Sequence, residues 1–171
     1  MEEKVILVNE QDEEIELMEK LQAHQLGRLH RAFSIFIFNS KKEMLLQQRA
    51  LSKYHCGGLW SNACCSHPRK GETILQAAHR RLKEEFGFDT PLEERFSFIY
   101  KANLDHNLME HEFDHVLVGQ FDGPITAFNP EEIASFCWYA LPTLEKKIAS
   151  NPELFTVWFR IALNKYVFTG M

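Results

Sequence analysis

The hydrophobic pattern changes period several times along the chain, and each change marks an element. RAFSIFIFN (31–39) and MLLQQR (44–49) are β-prone runs separated by the turn-like SKKE, which predicts a hairpin. VILVN (5–9) predicts a shorter strand, and the acidic stretch after it predicts a helix around 14–22. RFSFIYKANL (95–104) and EHEFDHVLVGQF (110–121) predict a second pair of strands, and FCWYAL (136–141) one more. Helical period is clearest where Ile74, Ala78, Leu82 and Phe86 recur every four residues, opened by a Thr73/Gln76 capping box and stopped by Gly87. Asn151 followed by Pro152 predicts the start of a last helix to about 168, with Phe155, Trp158, Phe159, Ala162 and Tyr166 on its apolar side. Residues 50–72 show little periodicity and read as a long loop, a length that inside a compact domain usually carries function. Strand pairs with helices between them predict an α+β chain built as an α/β/α sandwich on a mixed sheet.

Composition narrows the class. The 171 residues are the size of one domain, and no repeat or Pro/Gly/Ser-rich linker divides them. At 45% apolar and with 14 phenylalanines, the chain has the material for a full core. A net charge of −5 argues against general nucleic-acid binding, though not against a local basic pocket. The N-terminus, MEEKVILVNEQDEE, has only four consecutive apolar residues, so neither a signal peptide nor a membrane span is expected. The expectation is a cytoplasmic, monomeric protein, in which the four cysteines are thiols or ligands rather than bridges.

Candidate chemistry concentrates in SNACCSHP (61–68), where adjacent cysteines precede a histidine. That stretch admits half a zinc site, a vicinal disulfide or a reactive thiolate. The C-x2–4-C pairing of a zinc finger is absent, and a reducing compartment disfavours the disulfide. Glu110 and Glu112 share a strand face, where two like charges need a cation or a shared proton if they are buried. Alone, the pair would read as a solvated strand face. With His24, His30 and His67 it would make a three-nitrogen, two-oxygen set suited to octahedral Mn²⁺, Mg²⁺ or Zn²⁺, although the irregular spacing does not show this unaided. Lys20, Arg49, Lys53 and Arg81 form a scattered basic set that would suit a phosphate ligand.

Glu72, Arg80, Glu84, Glu85, Gly87 and Phe88 fall at the offsets of a Nudix box, whose helix-face carboxylates hold a divalent ion against a diphosphate. Ser66 stands where that box has its first glycine, and Arg81 where it has a glutamate. A charge reversal there is hard to reconcile with hydrolysis. RLHRAF, RALSK, LWSNACCSHP, this degenerate box and EHEFDH, in that order over roughly residues 20–158, resemble the type I isopentenyl-diphosphate Δ-isomerases. The resemblance implies a Nudix-like α/β/α fold and a double-bond shift from isopentenyl to dimethylallyl diphosphate. It implies Cys65 and Glu112 as the acid/base pair, Tyr100 beside the glutamate and Trp158 over the hydrocarbon. His24, His30, His67, Glu110 and Glu112 match the ligands of one metal; Glu85 and the Cys65 carbonyl match those of a Mg²⁺ that arrives with the diphosphate. Lys20, Arg49, Lys53 and Arg81 match the diphosphate grip, which turns the odd arginine of the box into a substrate residue. The six-residue separation of His24 and His30 is one shorter than the family pattern.

An unactivated alkene is a poor base, so the shift needs a strong, desolvated acid and a site that keeps water from a tertiary carbocation. Glu112 as first donor, with Cys65 as thiolate base, is one order; Cys65 donating first is the other. Two rivals are a Nudix hydrolase of nucleoside diphosphate derivatives and a non-catalytic module that keeps the fold alone. His111, between the two glutamates, should point to the opposite strand face.

Overall fold

The computed structural model describes residues 3–169. Nine strands, β1 (Lys4–Val8), β2 (Glu14–Glu19), β3 (His30–Phe38), β4 (Glu43–Arg49), β5 (Trp60–Asn62), β6 (Cys64–Ser66), β7 (Leu92–Asn103), β8 (Met109–Gln120) and β9 (Ile133–Ala140), join in one mixed sheet. The helices are α1 (Lys20–Leu26), α2 (Ile74–Phe86), α3 (Leu141–Ser150) and α4 (Val157–Phe168).

β3 organises the molecule. Phe33, Ile35 and Ile37 pack against Ala78, Leu82 and Phe86 of α2, while Phe36 packs with Phe159 and Tyr166 of α4 on the other side. A strand covered on both faces has no polar side to show, which is why this run is almost continuously apolar. The result is the α/β/α sandwich that the order of elements predicts. The β3–β4 hairpin, however, is splayed: the two strands pair only at Phe38 and Met44. β3 instead runs parallel to β8, His30 beside Glu112 and Phe38 beside Gln120, and β4 pairs with β9 and β5. β7 and β8 form the expected antiparallel pair.

Three local expectations are corrected. The segment expected as a helix around 14–22 is the edge strand β2 followed by α1. Glu, Leu and Met favour helix intrinsically, but pairing of Ile6 with Leu17 and Leu7 with Glu16 on β1 overrides that weak preference. The last helix begins at Val157, not at Asn151; Pro152–Leu154 make a single 3-10 turn, and α3 precedes it. The long loop carries the short strands β5 and β6, which hold its functional residues in register with β3 and β4.

α2 meets the expectation in detail. Thr73 Oγ1 accepts from the Gln76 amide and Gln76 Oε1 from the Thr73 amide, satisfying two orphan N–H groups, a cap that stabilises by about 1 kcal/mol. Gly87 closes the helix at φ 72°, and a Cβ there would meet the Ala127 carbonyl oxygen at 2.3 Å, so no other residue fits without movement.

Candidate active site

Strand register assembles the first half of the site. Because β3 and β8 run parallel with His30 beside Glu112, and Tyr100 of β7 lies across from Glu112, three functional side chains meet on one sheet face. Tyr100 Oη donates to Glu112 Oε2 at 2.7 Å, and His67 Nε2 stands 3.0 Å from Glu112 Oε1. His24, from α1, places Nε2 3.3 Å from Glu110 Oε2, and His30 Nε2 lies 3.5 Å from Glu112 Oε1. The shorter spacing of His24 and His30 does not keep them apart: their ring centroids are 4.9 Å apart, and His30 and His67 are at 5.0 Å. His24 Nδ1 donates to the Lys20 carbonyl and His30 Nδ1 to the Arg28 carbonyl, which leaves both Nε2 lone pairs facing inward. His111 turns away to the Gly27 carbonyl, as the strand period requires.

This cluster is short of positive charge. Glu110 and Glu112 are both buried, and burial together with the Glu112 charge pushes Glu110 up to about 7. Burial acts on Glu112 in the same direction, but His30 and His67, whose rings stand beside this carboxylate, outweigh it and hold it well below its ordinary range. Neither His30 Nε2 nor Glu110 Oε2 makes a hydrogen bond of good geometry among the described residues. Donor atoms of His24, His30, His67 and Glu112 all lie within 4.8 Å of one another, and the same holds for His24, His55 and Glu110. Inward-facing imidazole nitrogens, paired carboxylates and orphaned polar atoms are what a divalent ion would satisfy.

β6 separates the two cysteines by strand alternation. Cys64 faces α2, where its Sγ donates to Glu85 Oε1 at 3.3 Å. Cys65 faces the α4 side, with Sγ 3.0 Å from Asn62 Oδ1 and 3.5 Å from Ser34 Oγ. Asn62 Nδ2 donates to the Ile35 and Cys64 carbonyls, so its oxygen must face the sulfur and can only accept from it. Burial, then the nearby Asp114 charge, pushes the Cys65 thiol up to about 12. All four cysteines are free thiols, which removes the disulfide reading.

The basic residues meet in the same cavity, of about 1060 Å³, into which Cys65, Glu112, Tyr100 and Trp158 also project. Arg81 donates to Glu84 at 2.7 Å and to Glu85 at 2.6 Å, and Lys53 pairs with Glu132. Glu85 is buried, and its other oxygen accepts from Gln47 Nε2 at 2.8 Å. The Nε atoms of Arg49 and Arg81 are buried without a hydrogen-bond partner among the described residues, donors that an anionic ligand would satisfy. Lys20 also lines the cavity, paired to Glu3 at 3.0 Å. Trp158 donates Nε1 to Ser61 Oγ at 3.1 Å and carries the Arg49 guanidinium 5.2 Å from its ring centre.

The NUDIX domain family matches residues 28–159. The isopentenyl-diphosphate Delta-isomerase of Serratia proteamaculans is 53% identical over 93% of this chain and 88% of its own length. The chain belongs to the isopentenyl-diphosphate Delta-isomerase family. A second relative, isopentenyl-diphosphate Delta-isomerase 2 of Photorhabdus laumondii, is 50% identical over 96% of this chain and 92% of its own. Among solved structures, a Deinococcus radiodurans protein superposes with a TM-score of 0.72 over 86% of this chain and 90% of its own. At 23% identity it shares the fold alone. No helix among the described residues is long and apolar enough to cross a membrane.

Sequence reasoning about this isomerase-family chain missed Glu132, which neutralises Lys53 and stands 3.3 Å from Arg81. It also gave no role to Ser34, Asn62 and Asp114 around the thiol. Asn62 lies inside the motif that carried the resemblance, but its role depends on where its amide points, which spacing does not reveal.

Proposed function

We infer that this chain converts isopentenyl diphosphate to dimethylallyl diphosphate, and that Cys65 and Glu112 are the acid and base. The observation that carries the reading is the meeting of a half-buried thiol, a Tyr100-supported carboxylate and a basic grip in one cavity. Arg49, Lys53 and Arg81 hold the diphosphate at one end, Lys20 approaches from the rim, and the hydrocarbon lies against Trp158. Arg81 also explains why the box does not serve hydrolysis here: a guanidinium occupies the place of a metal-binding carboxylate.

Of the two orders that sequence leaves open we take the second, in which the group that holds a proton in the metal-free chain gives it up first. Cys65, held as a thiol by burial and by the Asn62 acceptor, donates its proton to the terminal methylene. The resulting tertiary cation lies against the Trp158 face, a contact of about 0.5–2 kcal/mol. Glu112, ionised and steadied by Tyr100, takes the proton from the allylic carbon, and the new double bond forms there. A proton passes back from Glu112 to the thiolate before the next turnover. The cavity walls keep water from the cation, which would otherwise be trapped as an alcohol.

His24, His30, His67, Glu110 and Glu112 fit a divalent ion, Mn²⁺, Mg²⁺ or Zn²⁺, because their orphaned inward atoms and excess negative charge call for one. Such an ion supplies positive charge that lets both glutamates stay ionised. Glu85 and the Cys65 carbonyl are the residues for a Mg²⁺ carried in with the diphosphate. Both Glu85 oxygens already accept hydrogen bonds, so that ion depends on diphosphate and water for most of its ligands.

Incubation with isopentenyl diphosphate and Mg²⁺ in D2O, followed by NMR, tests the assignment. Dimethylallyl diphosphate with deuterium in a methyl group is the expected product, lost in Cys65→Ala and Glu112→Gln. Phosphate release from nucleotides without isomerisation would overturn it.

A further inference from the structure

Trp158 has one polar atom, and a small group of buried hydroxyls meets it. Its Nε1 can only donate, so Ser61 Oγ, 3.1 Å away, must accept. Ser61 stands on β5 and is buried, and its oxygen also lies 3.0 Å from Thr156 Oγ1 and 3.1 Å from Asn62 Oδ1. Asn62 Nδ2 is committed to the Ile35 and Cys64 carbonyls, so Asn62 Oδ1 faces Ser61 as an acceptor. Ser61 gives its one hydrogen to that oxygen, which leaves Thr156 Oγ1 to donate to Ser61. Ser61 Oγ thereby accepts from Trp158 and Thr156, which uses both of its lone pairs.

Thr156 is the N-cap residue of α4, yet its hydroxyl accepts nothing from the first turn. A threonine there ordinarily stabilises its helix by accepting an amide N–H. The backbone fixes the helix start instead: the Thr156 amide donates to the Trp60 carbonyl at 2.9 Å, and Trp60 bridges to Phe155. β5 therefore carries both the acceptor for the indole and the anchor for the helix that bears it.

The sulfur has closer partners than Ser61. Cys65 Sγ lies 4.0 Å from Ser61 Oγ, against 3.0 Å from Asn62 Oδ1 and 3.5 Å from Ser34 Oγ. Packing alone would not orient the indole either, because tryptophan χ2 has a broad, roughly two-fold preference. The His55 ring meets it at 5.7 Å and the Arg49 guanidinium at 5.2 Å, contacts that do not depend on where the ring N–H points. The bond to Ser61 is the one directed contact of this ring among the described residues.

We propose that Ser61 is a positioning residue for the isomerisation, its hydroxyl selecting the ring orientation in which Trp158 faces the cation. The inference rests on the isomerase reading above. A contact with a cation that exists only after the first proton transfer lowers the barrier without tightening substrate binding. Its loss should therefore appear in kcat and not in KM.

Steady-state isomerisation of isopentenyl diphosphate with Mg²⁺, and ¹H–¹⁵N spectra of the three indole N–H groups, test the proposal on the full chain. Ser61→Ala should lower kcat about tenfold, with KM within about twofold of wild type. It should also shift the Trp158 indole signal, which is identified by its absence in Trp158→Phe. Ser61→Thr and Ser61→Val fill the same space and differ in the hydroxyl. Ser61→Thr should keep the wild-type indole signal and exceed Ser61→Val about tenfold in kcat, and this pair carries the test if Ser61→Ala does not fold. In a Trp158→Phe background, which has no ring N–H, Ser61→Ala should change kcat by less than about twofold. A tenfold loss in that background too, equal rates for Ser61→Thr and Ser61→Val, or a loss confined to KM would overturn the proposal. Wild type that fails to isomerise the substrate would overturn the isomerase reading and, with it, this role for Ser61.

Discussion

Glu85 and the Glu110–Glu112 pair are buried carboxylates around one cavity, and their surroundings are opposite in kind. Glu85 accepts from Arg81, Cys64 and Gln47, so its charge is compensated by the chain itself. Glu110 and Glu112 face histidines and each other, and Glu110 Oε2 makes no good hydrogen bond among the described residues. A carboxylate of the first kind belongs to the frame and holds Arg81 in place for an anion. Those of the second kind have no lysine or arginine against them, among the described residues, to match Arg81. Net charge would rate the three alike; only the identity of the neighbours separates them.

The largest effect should come from removing one charge from each group. Glu112→Gln should lower isomerisation by about 10²–10⁴-fold, because a positioned proton acceptor is lost. Glu110→Gln should leave the metal-free protein at least as stable, because burial and the Glu112 charge disfavour its ionised form. Glu85→Gln should do the reverse to stability, costing about 1–3 kcal/mol in urea unfolding as Arg81 loses its buried partner. If Glu110→Gln and Glu85→Gln lose the same stability, the distinction between the two groups is wrong.

Metal removal should come next. A chelator should lower the melting temperature of wild type by roughly 8–16 °C, from about 4 kcal/mol of ion binding at a thousandfold excess over Kd. The same chelator should hardly move a Glu110→Gln, Glu112→Gln double variant, and calorimetry would show either result.

pH gives a smaller effect of known sign. In metal-free protein Glu110 is raised to about 7, so the folded state keeps a proton that the unfolded chain releases near 4.5. Stability should therefore fall as pH rises through that interval, by up to roughly 3 kcal/mol, and Glu110→Gln should remove that slope from urea midpoints. The smallest effect should be that of Cys64→Ser, which keeps a donor toward Glu85. Turnover within about twofold of wild type and a loss of about 1 kcal/mol or less are expected, against the complete loss in Cys65→Ala.

Much of this was legible from local pattern. The capping box and Gly87 fixed α2, and the apolar run fixed β3, because both signals depend on residues a few positions apart. β2 was misread because helix preference is a weak prior against an available strand partner. The pairing of His30 with Glu112 was invisible, since a parallel register leaves no short-range trace. The resemblance supplied the outline of the site, and the structure added the groups that act through orientation: Asn62 on the thiol and Glu132 on Lys53.

The parallel alignment of β3 with β8 also sets when the site can exist. Ser34 and Asp114, whose side chains hydrogen-bond across those strands, are 80 residues apart, and Ser61 and Trp158, joined behind the thiol, are 97 apart. Loops of that size close late and slowly. A chain emerging from synthesis has α1, β3 and the thiol loop before it has Glu110 and Glu112, so the carboxylates that face His24, His30 and His67 arrive last. Completion of the His/Glu donor set is thereby tied to near-completion of the fold.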